Sequence, residues 1–283
     1  MERRQFLKRA GAVAGGLTVG AGAIVVQGGR EGDDQATAPP EEDASSEADD
    51  EVADPRRGIQ EIIWSVTTGA PLVALTFDDG PHPELTPRIL DILDLYQVKS
   101  TFMMMGYAAE RHPDIVAEVV RRGHEIGNHT WRHLHITQTS AETARREIER
   151  GTQIIEDVAG VPVRLFRPPQ GRLSEAVVRL VTQMNQDIVL WSVTRGRKAW
   201  RTPESVAEHV VGEAGPGDIV DFHDGIGRGL FAPGSDLADT LMSRRQVEVE
   251  ALPAIIEQLQ DRGMHLGTVS ALRLARYQGL TTT

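Results

Sequence analysis

Short apolar runs alternate with longer segments of helical periodicity from residue 61 onward. Apolar and β-branched residues fill the short runs, which indicates buried strands. The longer segments repeat their apolar residues every three or four positions, which indicates amphipathic helices. The pattern predicts strands at 72–76, 101–105, 125–128, 164–166, 188–193, 219–222 and 265–269, and helices at 86–96, 114–122, 141–158, 175–184, 203–211 and 247–262.

The predicted elements repeat the order strand then helix about seven times, which is typical of a parallel sheet covered by helices. A segment of this size favours a barrel over an open sheet. An open doubly wound sheet would carry a glycine-rich phosphate turn after its first strand, and Asp79-Gly80-Pro81 is not such a turn. We therefore predict an α/β fold, a distorted (β/α)7-type barrel forming a single domain over 61–283. Residues 225–245, rich in glycine at their start, are predicted to form a loop over its rim.

Composition limits the chemistry that is open to this domain. The sequence has no cysteine, which excludes disulfides, thiolate metal ligands and cysteine nucleophiles. A transition-metal site would therefore use histidine and carboxylate ligands. The 283-residue chain has a net charge of −11 and no evident basic patch, so we expect no nucleic-acid partner.

The first 60 residues differ in composition from the rest of the chain. Arg3 and Arg4, then Phe-Leu and Lys8, precede a weakly apolar stretch of glycine and alanine, which resembles a twin-arginine export signal over 1–30. Eleven acidic residues lie in 31–60, which predicts a disordered linker. We expect the twin-arginine export machinery to carry the folded protein to the periplasm, cell wall or exterior. A frayed basic helix is one alternative, and an uncleaved membrane anchor, with membrane association through the signal, is another.

Polar residues suited to hydrolysis follow several of the predicted strands. Parallel strands place their C-terminal ends on one rim, so residues far apart in sequence can meet in one cleft. Asp78 and Asp79 leave the first of these strands. As neighbours they point to different sides, so one carboxylate can bind a metal while the other acts as a base. In isolation, Asp-Asp-Gly is more often a solvated turn.

His129 and His133 form the second candidate group. An i,i+4 pair lies on one face of a helical turn, where both imidazoles can reach one ion. With Asp79 they make a His-His-carboxylate set, which leaves coordination positions open for water and substrate.

Four further residues extend the candidate site. Arg167 precedes two prolines and can orient Asp78 and lower its pKa. His223 ends an apolar run and can protonate a leaving group. Trp191 and Trp200 can stack on a sugar face, although core packing is the simpler role for Trp191. From the residues alone, a surface arginine and a structural histidine remain open as roles for Arg167 and His223.

Together these motifs resemble the polysaccharide deacetylase family, which shares the NodB homology domain and is also called carbohydrate esterase family 4. The resemblance extends over 66–275 and rests on 76–80, 129–133, 165–169 and 223–224, in that order. It implies a distorted (β/α) barrel that hydrolyses acetyl groups from sugars with a divalent metal, most often Zn²⁺.

The resemblance also implies a role for each candidate residue. Asp78 corresponds to the family's general base, His223 to its general acid and Arg167 to the arginine that orients the base. The remaining correspondences are Asp79, His129 and His133 as metal ligands, and Gln170 as the residue whose backbone N–H donates to the oxyanion.

The chain departs from the family pattern at two places. Gln170 stands where the family commonly has tyrosine, which keeps a backbone donor but changes the groove surface. The turn after Trp191, over 193–200, lacks the carboxylate that tunes the family's catalytic histidine. We expect Asp221 or Asp224 to replace that carboxylate and to give the catalytic histidine a different pKa.

The combined prediction is a metal-dependent hydrolase with one catalytic domain. It would remove acetyl groups from N-acetylated cell-surface or extracellular polysaccharide, such as peptidoglycan or a chitin-like glycan. Two alternatives remain open. One is a non-catalytic glycan-binding barrel, which the missing turn carboxylate motivates, and the other is an amidase acting on a non-sugar C–N bond.

Overall fold

The computed structural model describes residues 61–196 and 202–278. The predicted signal and linker and Trp200 lie outside the described residues, so they stay predictions. The strands are β1 Ile62–Ile63, β2 Leu72–Asp78, β3 Thr101–Met104, β4 Glu125–Asn128, β5 Leu165–Phe166, β6 Asp187–Val189, β7 Val193–Thr194, β8 Ile219–His223 and β9 His265–Gly267. The helices are α1 Thr86–Leu95, α2 Gly106–Arg111, α3 Pro113–Arg121, α4 Ala141–Ala159, α5 Glu175–Gln183, α6 Pro203–Glu213, α7 Asp236–Asp261 and α8 Val269–Gln278. None of these described helices has the length and apolar character needed to cross a bilayer.

The strands form one curled, parallel sheet in the order β1-β6-β5-β4-β3-β2-β8-β7, with β9 beside the start of β2. The segment between β6 and β7 runs from the second strand of this order to the last one. Within it, Leu190 N–H donates to the Ile63 carbonyl at 2.7 Å, and Ser192 N–H donates to the Ile219 carbonyl at 3.0 Å. The predicted α/β fold of the distorted-barrel type is confirmed.

Alternation along β2 separates two layers of side chains. Leu75 and Phe77 pack in the main hydrophobic core with residues of the outer helices. Ala74, Thr76 and Asp78 take the alternate positions, and Ala74 packs with inner-face residues of β3, β5 and β8. Because side chains alternate between the faces of a strand, Asp78 reaches the barrel interior at the C-terminal rim.

The register of β8 repeats this arrangement beside β2. Thr76 pairs with Asp221, and Asp78 pairs with His223. Phe222, between them, packs against Phe77 in the outer layer, with ring centroids 6.0 Å apart. Asp221 and His223 therefore face the same interior as Asp78, which places two carboxylates and an imidazole side by side on neighbouring strands.

The sequence pattern was wrong in two places that matter for the site. The predicted strand 188–193 is two short strands, β6 and β7, which pair at opposite ends of the sheet order. The predicted rim loop 225–245 contains a 3-10 helix, Gly227–Phe231, and the first part of α7, which begins at Asp236 rather than at 247. The start of α7 lacks a core-facing stripe because Leu237 and Leu241 line a cavity instead, so its helical periodicity is weak.

Candidate active site

The barrel interior opens at the C-terminal rim into a cavity of about 400 Å³. Seven of the candidate residues line it, namely Asp78, Asp79, His129, His133, Gln170, Trp191 and His223. The eighth, Arg167, is fully buried beside them. They come from β2, β8 and the segments after β4, β5 and β6, which end at the same rim because the strands are parallel.

Arg167 holds Asp78 from within the barrel. Its Nη1 donates to Asp78 Oδ1 at 2.7 Å, to Asp221 Oδ1 at 3.0 Å and to Thr76 Oγ1 at 2.8 Å. Its other N–H groups donate to two backbone carbonyls of the β6–β7 segment at 3.2 and 3.0 Å. A buried guanidinium requires such partners. These contacts exclude the surface role for Arg167 and fix the orientation of Asp78.

Asp79, His129 and His133 can hold one metal ion. Their ligand atoms lie within 4.8 Å of one another. Asp79 Oδ1 is 3.6 Å from His129 Nε2 and 3.4 Å from His133 Nε2, close to the roughly 3.3 Å that separates tetrahedral zinc ligands with bonds of about 2.0 Å. Asp79 Oδ1 is also buried without a hydrogen-bond partner. A buried oxygen of this kind is costly unless a cation satisfies it, so these residues fit a divalent metal.

Two neighbours orient the metal ligands. The backbone carbonyl of Arg167 lies 2.8 Å from His129 Nδ1, and a proton on Nδ1 leaves the lone pair of Nε2 for the metal. Arg245 donates from Nη2 to Asp79 Oδ2 at 3.2 Å, which leaves Asp79 Oδ1 free to coordinate. Both contacts therefore select which atom of His129 and of Asp79 could coordinate an ion.

The two histidines meet by a different route from the predicted helical turn. Residues 129–133 form an irregular loop in which Thr130 and His133 have positive φ angles of 71° and 57°. His133 N–H donates to Thr130 Oγ1 at 3.0 Å, and the imidazole centroids of His129 and His133 lie 5.0 Å apart. The spacing identified the pair, but the helical explanation for it was wrong.

Glu248 is the carboxylate that contacts His223. Glu248 Oε2 lies 3.1 Å from His223 Nδ1, while Glu248 Oε1 accepts from Arg245 at 2.9 Å and from Arg195. Glu248 comes from α7, not from the turn after Trp191. This contact orients the imidazole of His223 and leaves its Nε2 available.

The two carboxylates expected to replace the turn residue have other partners. Asp221 hydrogen bonds to Arg167, and Asp224 Oδ2 accepts from Thr86 Oγ1 at the start of α1 at 2.7 Å. Asp221 still acts on His223 through its charge. The expectation that Asp221 or Asp224 takes the place of the turn carboxylate is therefore corrected.

Burial and charge set the protonation states of the site. Burial alone would raise the pKa of Asp79, but His133, His223 and Arg245 outweigh it and lower that pKa to about 2. Burial and Arg245 oppose protonation of His223, yet Glu248 and Asp221 raise its pKa above the ordinary value. The surroundings of Asp79 thus favour its ionised carboxylate. The surroundings of His223 favour its protonated imidazole.

Gln170 and Trp191 line the cavity beside the metal triad. Gln170 has a positive φ of 61°, and its backbone N–H donates no hydrogen bond among residues 61–196 and 202–278. That N–H is therefore free to donate to an oxyanion. Trp191 is half-buried and lines the cavity, and its ring centroid lies 5.5 Å from the central carbon of the Arg167 guanidinium. The ring therefore packs against the interior and also exposes part of its surface to the cavity.

Comparison with known proteins agrees with this geometry. A family model described as Polysaccharide deacetylase matches residues 65–189. A peptidoglycan-N-acetylglucosamine deacetylase of Bacillus cereus is 38% identical over 213 residues, which cover 75% of this chain and 92% of that protein. This chain belongs to the polysaccharide deacetylase family. A chitooligosaccharide deacetylase of Sinorhizobium fredii is 34% identical over 199 residues, 69% of this chain and 89% of that protein. The fold also matches the crystal structure of a peptidoglycan N-acetylglucosamine deacetylase, with a TM-score of 0.66 and 32% sequence identity. The match covers 75% of this chain and 92% of that protein.

Two residues of this polysaccharide deacetylase went unrecognised in the sequence. Arg245 and Glu248 are both buried, lie one helical turn apart on α7 and contact Asp79 and His223, respectively. Charged residues are seldom buried unless they are paired. An Arg and a Glu three residues apart also suit an exposed helix face, so only the continuation of α7 into the rim distinguishes the two cases.

Proposed function

We propose that this chain is a metal-dependent hydrolase that removes acetyl groups from N-acetylated polysaccharide. One observation carries the proposal. A triad that fits a metal, an arginine-held carboxylate and a glutamate-held histidine face one cavity open to solvent. Amide hydrolysis needs a base for the attacking water and an acid for the leaving amine, and Asp78 and His223 are placed to fill these roles.

The residues divide the reaction between them. A divalent metal held by Asp79, His129 and His133, which we propose to be Zn²⁺, would polarise the acetyl carbonyl and lower the pKa of water. Asp78, held through Oδ1 by Arg167, accepts the proton of the attacking water through its other oxygen. The Gln170 N–H donates to the developing oxyanion. His223, held through Nδ1 by Glu248, gives its proton to the departing amine.

The relatives narrow the class of substrate. They are named for peptidoglycan N-acetylglucosamine and for chitooligosaccharide, and both substrates present an acetamido group on a sugar ring. The half-buried ring of Trp191 in the cavity wall suits the face of such a sugar. We therefore infer an N-acetylhexosamine polymer as the substrate class.

We also propose export as the route to that substrate. Peptidoglycan lies outside the cytoplasmic membrane, and the twin-arginine pattern over 1–30 supports delivery of a folded protein by the twin-arginine machinery. The signal would bring a transient contact with the membrane. Replacing Arg3 and Arg4 by lysine should leave the protein in the cytoplasmic fraction, and unchanged export of that variant would contradict the route.

Acetate release tests the proposed reaction. We expect purified protein to release acetate from chitin oligomers or peptidoglycan glycan strands, to lose this activity with a chelator, and to regain it with Zn²⁺. Asp78→Ala should abolish release while glycan binding and metal content stay unchanged. A protein that binds glycan but releases no acetate would support a non-catalytic glycan-binding barrel. Turnover of small non-sugar amides, without release from any glycan, would support an amidase.

A further inference from the structure

The active-site cavity continues into a second one over the rim. This second cavity has a volume of about 370 Å³. Arg228 and Leu237 line both cavities, so a polymer bound at the catalytic residues can extend into the second space. The other residues lining it are Arg132, Leu134, Phe231 and Ala232. We call this second space the rim subsite.

The rim subsite contains a cation that lacks a carboxylate partner. Arg132 is paired with the buried Glu147 at 2.7 Å. Exposed Arg228, in contrast, has no carboxylate within ion-pair distance in the described parts of the chain, 61–196 and 202–278. Its Nη1 donates to His135 Nε2 at 2.9 Å. Its Nε and Nη2 make no hydrogen bond to the described residues, so one edge of the guanidinium is free.

The free edge of Arg228 matches a carboxylate. Two adjacent N–H groups of a guanidinium bind the two oxygens of a carboxylate in parallel, which a neutral sugar hydroxyl cannot reproduce. None of the described residues that line the rim subsite is acidic. Because the chain as a whole carries a net charge of −11, such a local cation would be needed to attract an anionic polymer.

Apolar side chains adjoin this cation. Phe231 is 42% exposed and Leu237 is 49% exposed, and the Phe231 ring lies 4.5 Å from that of Tyr107. Rings held in this way present a rigid apolar surface beside the guanidinium. The combination fits a carboxylate carried on a substituent or ring that also offers C–H surface.

Backbone geometry fixes Arg228 close to the reacting centre. It follows Gly227, which has a positive φ of 49° and lies so near Asp79 that an added Cβ would come 2.9 Å from Asp79 Oδ2. A side chain at position 227 would push this stretch of backbone away from Asp79. Arg228, the next residue along the chain, is therefore held close to the metal triad, where it lines both cavities.

We propose that Arg228 and the rim subsite recognise a carboxylate on the sugar next to the one that is deacetylated. The inference rests on the proposed function and adds that the preferred substrate is an acidic N-acetylated glycan. Two sources share this chemistry, namely the lactyl ether of N-acetylmuramic acid and the carboxylate of a uronic acid.

Matched substrates and variants test this subsite. The substrates are a glycan strand of alternating N-acetylglucosamine and N-acetylmuramic acid, the same strand with its carboxyl groups reduced to alcohols, and an N-acetylated glycan containing a uronic acid. The variants are Arg228→Gln, Arg228→Lys and, as a control, Arg88→Gln, an exposed arginine on α1 outside both cavities. Elemental analysis checks that each variant keeps its metal.

The expected readout is the ratio of kcat/KM for the acidic strand to that for its reduced form. Arg228→Gln should lower this ratio about tenfold, since charge-assisted hydrogen bonds are about twice as strong as neutral ones. Arg228→Lys should fall between, and Arg88→Gln should match the wild type. Preference for muramic acid or for uronic acid in the wild type identifies the source. An unchanged ratio in Arg228→Gln would overturn the proposal.

A binding measurement separates this proposal from the catalytic one. Calorimetry on Asp78→Asn, with and without Arg228→Gln, gives the dissociation constants of the acidic and reduced strands without turnover. Loss of the acidic preference only when Arg228 is replaced would support the subsite even if no acetate is released. Equal affinity for both strands in Asp78→Asn would overturn the subsite while leaving deacetylation untouched.

Discussion

The two sides of the active-site cavity are built in different ways. On the metal side, Asp79 directly follows β2, and His129 and His133 lie together in one short loop after β4. On the acid side, His223 ends β8 but depends on Glu248 from α7, whose position is set by packing against β8 and α6. A ligand set can therefore be contained in short motifs. The environment of the acid depends on where a whole helix is placed.

Of the changes considered, loss of a proposed metal ligand should have the largest effect on activity. We expect His133→Ala to lose stoichiometric metal and to lower kcat/KM by roughly 1,000-fold or more, because both carbonyl polarisation and water activation are lost. Elemental analysis and acetate release would measure this. His265→Ala, which removes an exposed histidine on β9, serves as the control. Full metal occupancy in His133→Ala would refute the assigned ligand set.

Removal of Arg167 should affect both Asp78 and Asp221, the two buried carboxylates that its side chain pairs with. Arg167→Met leaves the buried Asp78 and Asp221 without their shared cation, so the free energy of unfolding should fall by about 3–5 kcal/mol. Chemical denaturation would measure the loss. Activity should fall with it, since Asp78 is no longer oriented. Arg179→Met, at an exposed ion pair on α5, should change stability little, and equal stability of the two variants would contradict the buried role.

Replacement of Glu248 should act mainly on the acid side, because Glu248 contacts His223 directly and reaches Asp79 only through Arg245. His223 acts as an acid while protonated, so activity is present below its pKa and lost as pH rises through it. Glu248 contributes to raising that pKa, and Glu248→Gln should therefore move the alkaline limb of the pH–rate profile to lower pH.

The same Glu248→Gln variant should lower kcat roughly tenfold, in the range expected for residues that orient a catalytic group. Metal content should stay stoichiometric. Glu250→Gln, an exposed neighbour on α7, provides the matched control. If the alkaline limb of Glu248→Gln coincides with that of the wild type, another group governs the protonation of His223.

The smallest effect is expected at Gln170. Since the proposed oxyanion donor is its backbone N–H, Gln170→Ala should keep kcat within about threefold, whereas loss of a true oxyanion donor costs roughly 100-fold or more. The positive φ strains alanine no more than glutamine, so stability should be similar. A loss of kcat beyond tenfold in Gln170→Ala would show that the side chain itself takes part.

The sequence predicted those parts of the site that depend on local patterns, and it missed those that depend on contacts between distant segments. Asp78 and His223 could be placed because strand periodicity and parallel order bring strand ends to one rim. The shared interior orientation of Asp221 needed the register between β2 and β8, which no local pattern contains. Glu248 and Arg245 were missed because the first half of α7 faces a cavity rather than the core, so its periodicity gave no sign that the helix reached the rim.

The amino-acid sequence by itself determined the repeating strand–helix order, the absence of thiolate chemistry and the motifs that contain the proposed base and the three candidate metal ligands. These features depend on residue types and on spacings within a few positions. Tertiary structure alone decided that Arg167 is buried between two carboxylates, that two left-handed residues rather than a helix bring the histidines together, and that α7 supplies the partner of His223. The first and third of these are contacts between segments distant in the chain, which packing and charge pairing select in the folded interior. The second is a local loop conformation that the i,i+4 spacing alone did not reveal.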